Sequence, residues 1–144
     1  MQKKLENGSY NKKRLCVSMG GRGVSTGISN KGKKYGTQYK TLFQAGNIKF
    51  VTKKSRTSEA LMETMTKGRV YVTAGKDKLK SITYFDNENR RIKTIDLDHY
   101  HNKLKPHVQE GYYHDKEARE PNTKEKKMIQ KAYKLWYNHK KGKL

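Results

Sequence analysis

Residues that build covalent cross-links or membrane spans are scarce in this chain of 144 residues. Its single cysteine, Cys16, excludes an intramolecular disulfide and a zinc site built from several cysteines, and it fits a reducing compartment. No apolar run approaches the roughly 20 residues that cross a bilayer, and the first residues lack the apolar segment of a signal peptide. We therefore expect a cytoplasmic protein without a membrane partner.

Acidic residues are also few. The chain has 13 Asp and Glu against 34 Lys and Arg, which gives a net charge of +21. A polyanion is the expected partner of such a chain, and nucleic acid is the first candidate. An acidic membrane surface is a weaker candidate, because no segment combines a basic face with the broad apolar face of an interfacial helix.

Large aliphatic residues are scarce too. Leu, Ile, Val and Phe make up 24 of 144 residues, below the roughly 20% at which a highly charged chain is suspected of disorder. Ten tyrosines and one tryptophan add surface that can be buried. We expect a flexible basic arm rich in Gly and Lys over residues 1–40, one ordered domain over residues 41–139, and a frayed basic tail over residues 140–144.

The pattern in the middle of the chain predicts β-strands. Residues 69–74, 79–85 and 92–98 are rich in Val, Ile, Thr and Tyr and are separated by short turn segments. Short connections favour an antiparallel meander, and shorter extended pieces precede it near residues 41–44 and 47–51. Residues 58–65 suggest a short helix or turn that begins at Ser58.

A C-terminal helix is predicted from Thr123 through Tyr137. Asn122 and Glu125 have the spacing of a capping box, and an apolar stripe follows at helical spacing: Met128, Ile129, Ala132, Leu135 and Trp136. The predicted fold class is therefore α+β, with a small antiparallel sheet of three to five strands and this helix packed on one face.

Four of the five histidines, His99, His101, His107 and His114, lie in one short segment after the last strand-like run. Histidine serves as base and as acid near neutral pH, so this segment is the candidate site. One interpretation is a zinc or manganese site that also uses Asp96 and Asp98. Another is metal-free acid–base cleavage of RNA, which needs no cofactor. A third is non-catalytic RNA binding, with tyrosines stacking on bases.

Several segments, in this order, resemble a bacterial and prophage family. They are residues 62–72, 82–86, 93–99, 105–107, 111–112, 125–128 and 135–137, so the similarity runs from about residue 35 to residue 139. The family is that of the toxin-like nuclease domains fused to MuF-type phage head-morphogenesis proteins, which are placed with the barnase–EndoU–colicin–RelE superfamily, called the BECR fold.

The resemblance implies a small α+β fold with an antiparallel sheet and a metal-independent activity that cleaves RNA. At matching positions it points to Asp96, Asp98, Lys105 and Tyr112, together with the four clustered histidines. One departure is clear, because Val108, Gln109 and Glu110 stand where the family pattern has a threonine and two histidines. An inactive relative that only binds RNA or a protein therefore stays open.

We accordingly expect a phage or mobile-element ribonuclease-like toxin domain in the bacterial host cytoplasm. His101 and His107 are the first candidates for general base and acid, followed by His99 and His114. The residues expected to bind RNA are Lys67, Arg69 and Lys105, which would hold phosphate, and Tyr112 and Tyr113, which would stack on a base. The alternative is a phage-encoded RNA- or nucleoprotein-binding protein, such as an inhibitor of a host defence complex, and an antitoxin protein is a further expected partner.

Overall fold

The computed structural model describes residues 26–29, 31–100, 103, 105–114 and 116–142. These residues form a six-stranded sheet and one helix. The elements are β1 (Tyr39–Ala45), β2 (Ile48–Lys53), β3 (Val70–Ala74), β4 (Leu79–Phe85), β5 (Arg91–Asp96), β6 (His107–Glu110) and α1 (Thr123–Lys141). The strands lie in the sheet in sequence order. The predicted α+β class is confirmed, and the sheet has one strand more than the three to five that were predicted.

Neighbouring strands pair antiparallel except for β2 and β3, which are parallel, with Ile48 opposite Val70. The meander predicted for the three central runs is confirmed as β3, β4 and β5. Parallel neighbours need a long connection, and residues 54–69 supply it; we call this segment the crossover. It contains no helix, because its backbone instead bonds to the start of β5, where the Arg91 N–H donates to the Met62 carbonyl at 2.8 Å.

The core lies between α1 and one face of the sheet. Along β3, Val70, Val72 and Ala74 are buried on that face, as the period of two along a strand predicts. Ala132 is fully buried in the same cluster, and the rest of the predicted stripe packs against it: Met128, Ile129, Leu135 and Trp136. The helix therefore covers one face and leaves the other face of the sheet available for a site.

The N-terminus of α1 is fixed by a capping box and by ion pairs. The Asn122 side chain accepts from the Glu125 N–H at 2.9 Å, and the Glu125 carboxylate accepts from the Asn122 N–H at 2.8 Å. That carboxylate also accepts from Arg119 at 2.8 Å and from Lys93 of β5 at 2.7 Å. The Arg119 guanidinium, followed by Lys93, lowers the pKa of Glu125 to about 2.

Residues before position 41 already take part in the described fold. β1 starts at Tyr39, inside the segment predicted as an arm, and residues before it contact the crossover. Tyr35 donates its hydroxyl to Glu63 at 2.6 Å, and Lys33 donates to the Thr57 carbonyl at 2.9 Å. At the other end, α1 continues to Lys141, into the segment predicted as a tail. Residues 1–25, with Cys16, lie outside the described residues.

Within the part of the chain that the structure describes, no helix is long and apolar enough to cross a membrane.

Candidate functional site: a polar groove on the open face of the sheet

The face of the sheet opposite α1 carries a groove of about 560 Å³. Because side chains alternate along a strand, the strands that bury Val72, Ile82 and Ile95 on one side present hydroxyl groups on the other. The hydroxyl side chains of β3, β4 and β5 that line the groove are Thr73, Ser81, Thr83 and Thr94. The groove floor can therefore donate and accept hydrogen bonds along the width of three strands.

The walls of the groove are cationic. Five basic side chains line it, namely Lys53, Arg56, Lys76, Lys80 and Arg91, and Asp96 is the one acidic residue among the described lining residues. A concave surface lined by charge of one sign concentrates ligands of the opposite sign. The groove is consequently suited to a phosphate-bearing ligand.

Arg91 faces the groove because β5 contains a bulge. The register between β4 and β5 shifts so that Ile92 has no strand partner. Lys93 therefore faces the helix, with its Nζ 2.7 Å from the Glu125 carboxylate, whereas Arg91 lines the groove. Its Nε and Nη2 donate to the carbonyl of Tyr112 at 3.1 and 2.5 Å, which links the groove to the loop after β6.

His99 follows β5 and is held beside a carboxylate. Asp96 Oδ1 accepts from the backbone N–H groups of Asp98 at 2.9 Å and His99 at 2.8 Å, and Asp96 Oδ2 lies 3.3 Å from His99 Nδ1. In the tautomer that donates from Nδ1 to Asp96, Nε2 is able to accept a proton. The side chain is 71% exposed, so a ligand in the groove can reach it.

His114 reaches the same groove from the loop after β6. Its φ of 55° is uncommon for a residue other than glycine, although histidine adopts this region more often than most. The loop is fixed at its start, because the Gly111 N–H donates to the Ile92 carbonyl at 2.6 Å, and the His114 N–H donates to the Gly111 carbonyl at 3.3 Å. Two histidines from separate loops thus line one polar groove.

The other two predicted histidines are placed differently. His107 begins β6, opposite Asp96 in the strand register, and is only 3% exposed. It is not among the residues that line the groove. His101 lies outside the described residues. We predicted His101 and His107 as the first acid–base candidates, whereas the structure places His99 and His114 along the same groove.

The cations predicted to hold RNA do not line the groove. Lys67 is exposed in the turn before β3, and Arg69 lines a second cavity of about 310 Å³ bordered by the crossover. Lys105 places its Nζ 5.1 Å from the centre of the Tyr100 ring. These three residues therefore lie outside the groove that His99 and His114 line.

The tyrosines predicted to stack on bases belong to the loop after β6. The Tyr112 hydroxyl donates to Glu63, and the Arg90 guanidinium lies over the Tyr112 ring at 4.2 Å from its centre. Tyr113 is 64% exposed and contacts the Tyr112 ring edge-on at 4.7 Å between ring centres. Tyr112 is therefore part of the internal bonding of the fold, and Tyr113 is the more accessible ring.

Sequence reasoning missed the basic residues that do line the groove. Lys76 and Lys80 flank the β3–β4 turn, and Lys53 ends β2. The signal was present in the alternation of β3, since the strand that buries Val72 on the core face must present Thr73 on the other face. The next strands carry the same alternation, so the open face could have been identified as polar.

Two of the three residues that differ from the pattern of the resembled family have structural contacts. Val108 is fully buried in the core, and Glu110 accepts from Arg119 Nε at 2.5 Å. The Arg119 guanidinium lowers the pKa of Glu110. In this chain two of the three replaced positions therefore contribute to packing and to the ion pairs at the sheet edge.

The metal interpretation named Asp96, Asp98 and the four clustered histidines as possible ligands, and one of these, His101, lies outside the described residues. Among the residues that the structure describes, no group of three or more His, Cys, Asp or Glu side chains is placed to hold a metal ion. Asp98 instead accepts from Lys78 Nζ at 2.5 Å, and this contact lowers the pKa of Asp98.

Comparisons of the chain with protein-family models, with curated proteins and with solved structures give no significant match.

Proposed function

We propose that this chain is a ribonuclease-like toxin domain of a phage or mobile element, which cleaves RNA without a metal in the bacterial host cytoplasm. The groove is its proposed active site. The observation that carries the proposal is that His99 and His114 line one groove together with five cations and a single carboxylate. The resemblance of residues 62–137 to toxin-like nuclease domains supports the same activity, with an antitoxin protein as an expected partner.

The groove contains the groups that RNA transesterification uses. A neutral histidine removes the proton of the ribose 2′-hydroxyl, and the 2′-oxygen attacks the adjacent phosphorus. A protonated histidine donates its proton to the leaving 5′-oxygen, which gives a 2′,3′-cyclic phosphate and a 5′-hydroxyl end. Arg91 and the groove lysines stabilise the charge on the phosphate oxygens. Asp96 orients the His99 ring through the Nδ1 contact.

The decisive experiment is incubation of labelled single-stranded RNA with the protein in EDTA, followed by analysis of the ends. We expect 2′,3′-cyclic phosphate ends, and we expect His99→Ala and His114→Ala each to slow cleavage by roughly 10²–10⁴-fold. His139→Phe is the matched control, because His139 stacks on Phe43 with 3.8 Å between ring centres, on the helix side of the sheet. Phenylalanine keeps that stacking, so cleavage should be unchanged.

A non-catalytic function is the second candidate, and the burial of His107 favours it. His107 lies in the Lys105–His107 segment that carries part of the resemblance, yet it is 3% exposed and does not line the groove. In that case the basic surface binds RNA or a nucleoprotein complex, for example to inhibit a host defence complex. Tight binding of RNA that stays intact on long incubation would replace the ribonuclease proposal with this one.

A further inference from the structure

The outward surface of α1 carries an unusual excess of positive charge. Seven lysines of the helix are exposed: Lys124, Lys126, Lys127, Lys131, Lys134, Lys140 and Lys141. The one acidic residue of the helix is Glu125, which is 1% exposed and bound to Arg119 and Lys93. Solvent-facing helices are usually stabilised by lysine–glutamate pairs three or four residues apart, and this helix has no such acids after its first turn.

Two aromatic rings interrupt this basic surface. Tyr133 is 42% and Tyr137 is 66% exposed. They are four residues apart, so they lie on the same side of the helix, separated by about 6 Å along its axis. Exposed rings between lysines are the composition with which proteins hold single strands, since bases stack on the rings while the lysines neutralise phosphates.

Residues of the β3–β4 turn line the groove and also lie near Tyr133 of α1. Lys76 within this turn and Lys80 after it line the groove, and Lys78, also in the turn, donates to Asp98 at 2.5 Å. Burial, followed by the charge of that same Asp98, raises the pKa of Tyr133, and Lys78 opposes the shift. Tyr133 therefore lies within electrostatic range of the Lys78–Asp98 pair, and this places one of the two exposed rings on the side of α1 that faces the turn.

We propose that the outer face of α1 binds the single-stranded RNA that continues out of the groove, with bases stacked on Tyr133 and Tyr137 and phosphates held by the helix lysines. The inference rests on the proposed function, in that the groove holds one part of the same strand. It adds a second binding surface on the opposite face of the sheet. Affinity should therefore depend on RNA length, because only a long strand can occupy both surfaces.

The test compares a trinucleotide with a single strand of roughly 12 nucleotides, which is within the site sizes of single-strand-binding folds. Both are 2′-O-methylated so that they cannot be cleaved, and binding is measured by fluorescence anisotropy. The double variant Tyr133→Ser, Tyr137→Ser should bind the long strand at least about 10-fold more weakly, with trinucleotide affinity unchanged. Tyr133→Phe with Tyr137→Phe keeps both rings and should retain long-strand affinity.

A charge-matched pair of variants separates this face from net charge. Lys131→Gln with Lys134→Gln should weaken long-strand binding more than Lys31→Gln with Lys40→Gln, although both remove two exposed charges. Equal losses in these two variants, equal losses for short and long strands, or full affinity in the serine variant would each overturn the inference. Length-dependent binding of the methylated strands, together with no cleavage of unmodified RNA, would overturn the ribonuclease proposal and leave this surface standing.

Discussion

The Tyr112 hydroxyl donates a hydrogen bond to the carboxylate of Glu63, which lies 49 residues earlier in the chain. The other oxygen of Glu63 accepts from the Tyr35 hydroxyl at 2.6 Å, and burial together with the Glu63 carboxylate raises the pKa of Tyr35. The residues before β1, the crossover and the loop after β6 thus meet at one carboxylate that is 8% exposed. That loop carries His114.

Replacement of Glu63 tests this junction. In Glu63→Gln the side chain keeps one acceptor oxygen, so one of the two tyrosines loses its acceptor, and we expect a loss of about 1–3 kcal/mol in the free energy of unfolding. Urea denaturation measures it. The control is Glu88→Gln, an exposed carboxylate in the β4–β5 turn, for which no change is expected. Equal midpoints for the two variants would show that the junction does not stabilise the fold.

The Glu125 ion pairs predict a loss of stability in acid. The pKa of Glu125 falls from 4.5 to about 2 on folding, chiefly through Arg119. Between these two pH values the unfolded chain binds a proton that the folded chain does not, so the stabilisation is complete above about pH 4.5 and is lost as the pH falls towards 2. The shift corresponds to about 3 kcal/mol.

Urea denaturation across this pH range measures the effect. Glu125→Gln should flatten the dependence and should lower stability at neutral pH, by about 3–5 kcal/mol, because it leaves Arg119 and Lys93 without their shared partner. A variant as stable as the parent at neutral pH would contradict the importance of this buried charge.

The fold was more predictable from the sequence than the site. The period of two in β3 and the capping box at Asn122 are local signals, so the meander and α1 could be inferred directly. The parallel pairing of β2 with β3 could not, because the contacts of the crossover with the start of β5 are specified by residues far apart in the chain. The same holds for Lys33 and Tyr35, which contact the crossover although the Gly- and Lys-rich composition around them indicated an arm.

The histidine cluster shows why proximity in sequence did not define the site. His107 and His114 are close in the chain, yet a strand places the first inside the protein while the turn at Gly111 brings the second to the groove. Arg91 was not predicted as a groove residue for a related reason, because regular alternation along the strand would put it on the same face as Lys93. Only the bulge at Ile92 moves it to the groove.

Asp96 should affect the rate of cleavage by orienting His99 rather than by contacting RNA. Asp96→Asn keeps an oxygen that can accept from the backbone N–H groups of Asp98 and His99, but it removes the charge beside His99 Nδ1. We expect roughly tenfold slower cleavage at saturating RNA, from the loss of a hydrogen bond to a charged group, with KM nearly unchanged. A change confined to KM would mean that Asp96 contributes to binding instead.

Substitution of His107 should lower the stability of the folded protein. Because this side chain is 3% exposed within β6, His107→Ala leaves a cavity and should cost about 2–4 kcal/mol. His99→Ala, at an exposed position, should leave the unfolding midpoint unchanged while it slows cleavage. If His107→Ala abolished cleavage without any change in thermal or urea stability, His107 would have a chemical role that its position in the fold does not indicate.

Because lysines line the groove, RNA affinity should fall as the salt concentration rises. A protein that neutralises about 6–10 phosphates loses roughly 10³–10⁵ in affinity between 50 and 200 mM salt, because the bound cations release counterions. For a single strand each lysine–phosphate contact contributes about 0.7 to the slope of log K against log salt.

Lys76→Gln with Lys80→Gln should therefore reduce the magnitude of the slope by about 1.4. The helix lysines and the six basic residues among residues 1–25 should contribute to the remaining slope. His114→Ala should leave the slope unchanged while it slows cleavage. Binding that is insensitive to salt, or that disappears in His114→Ala alone, would show that phosphate contacts do not hold the ligand and would make a protein the better candidate partner.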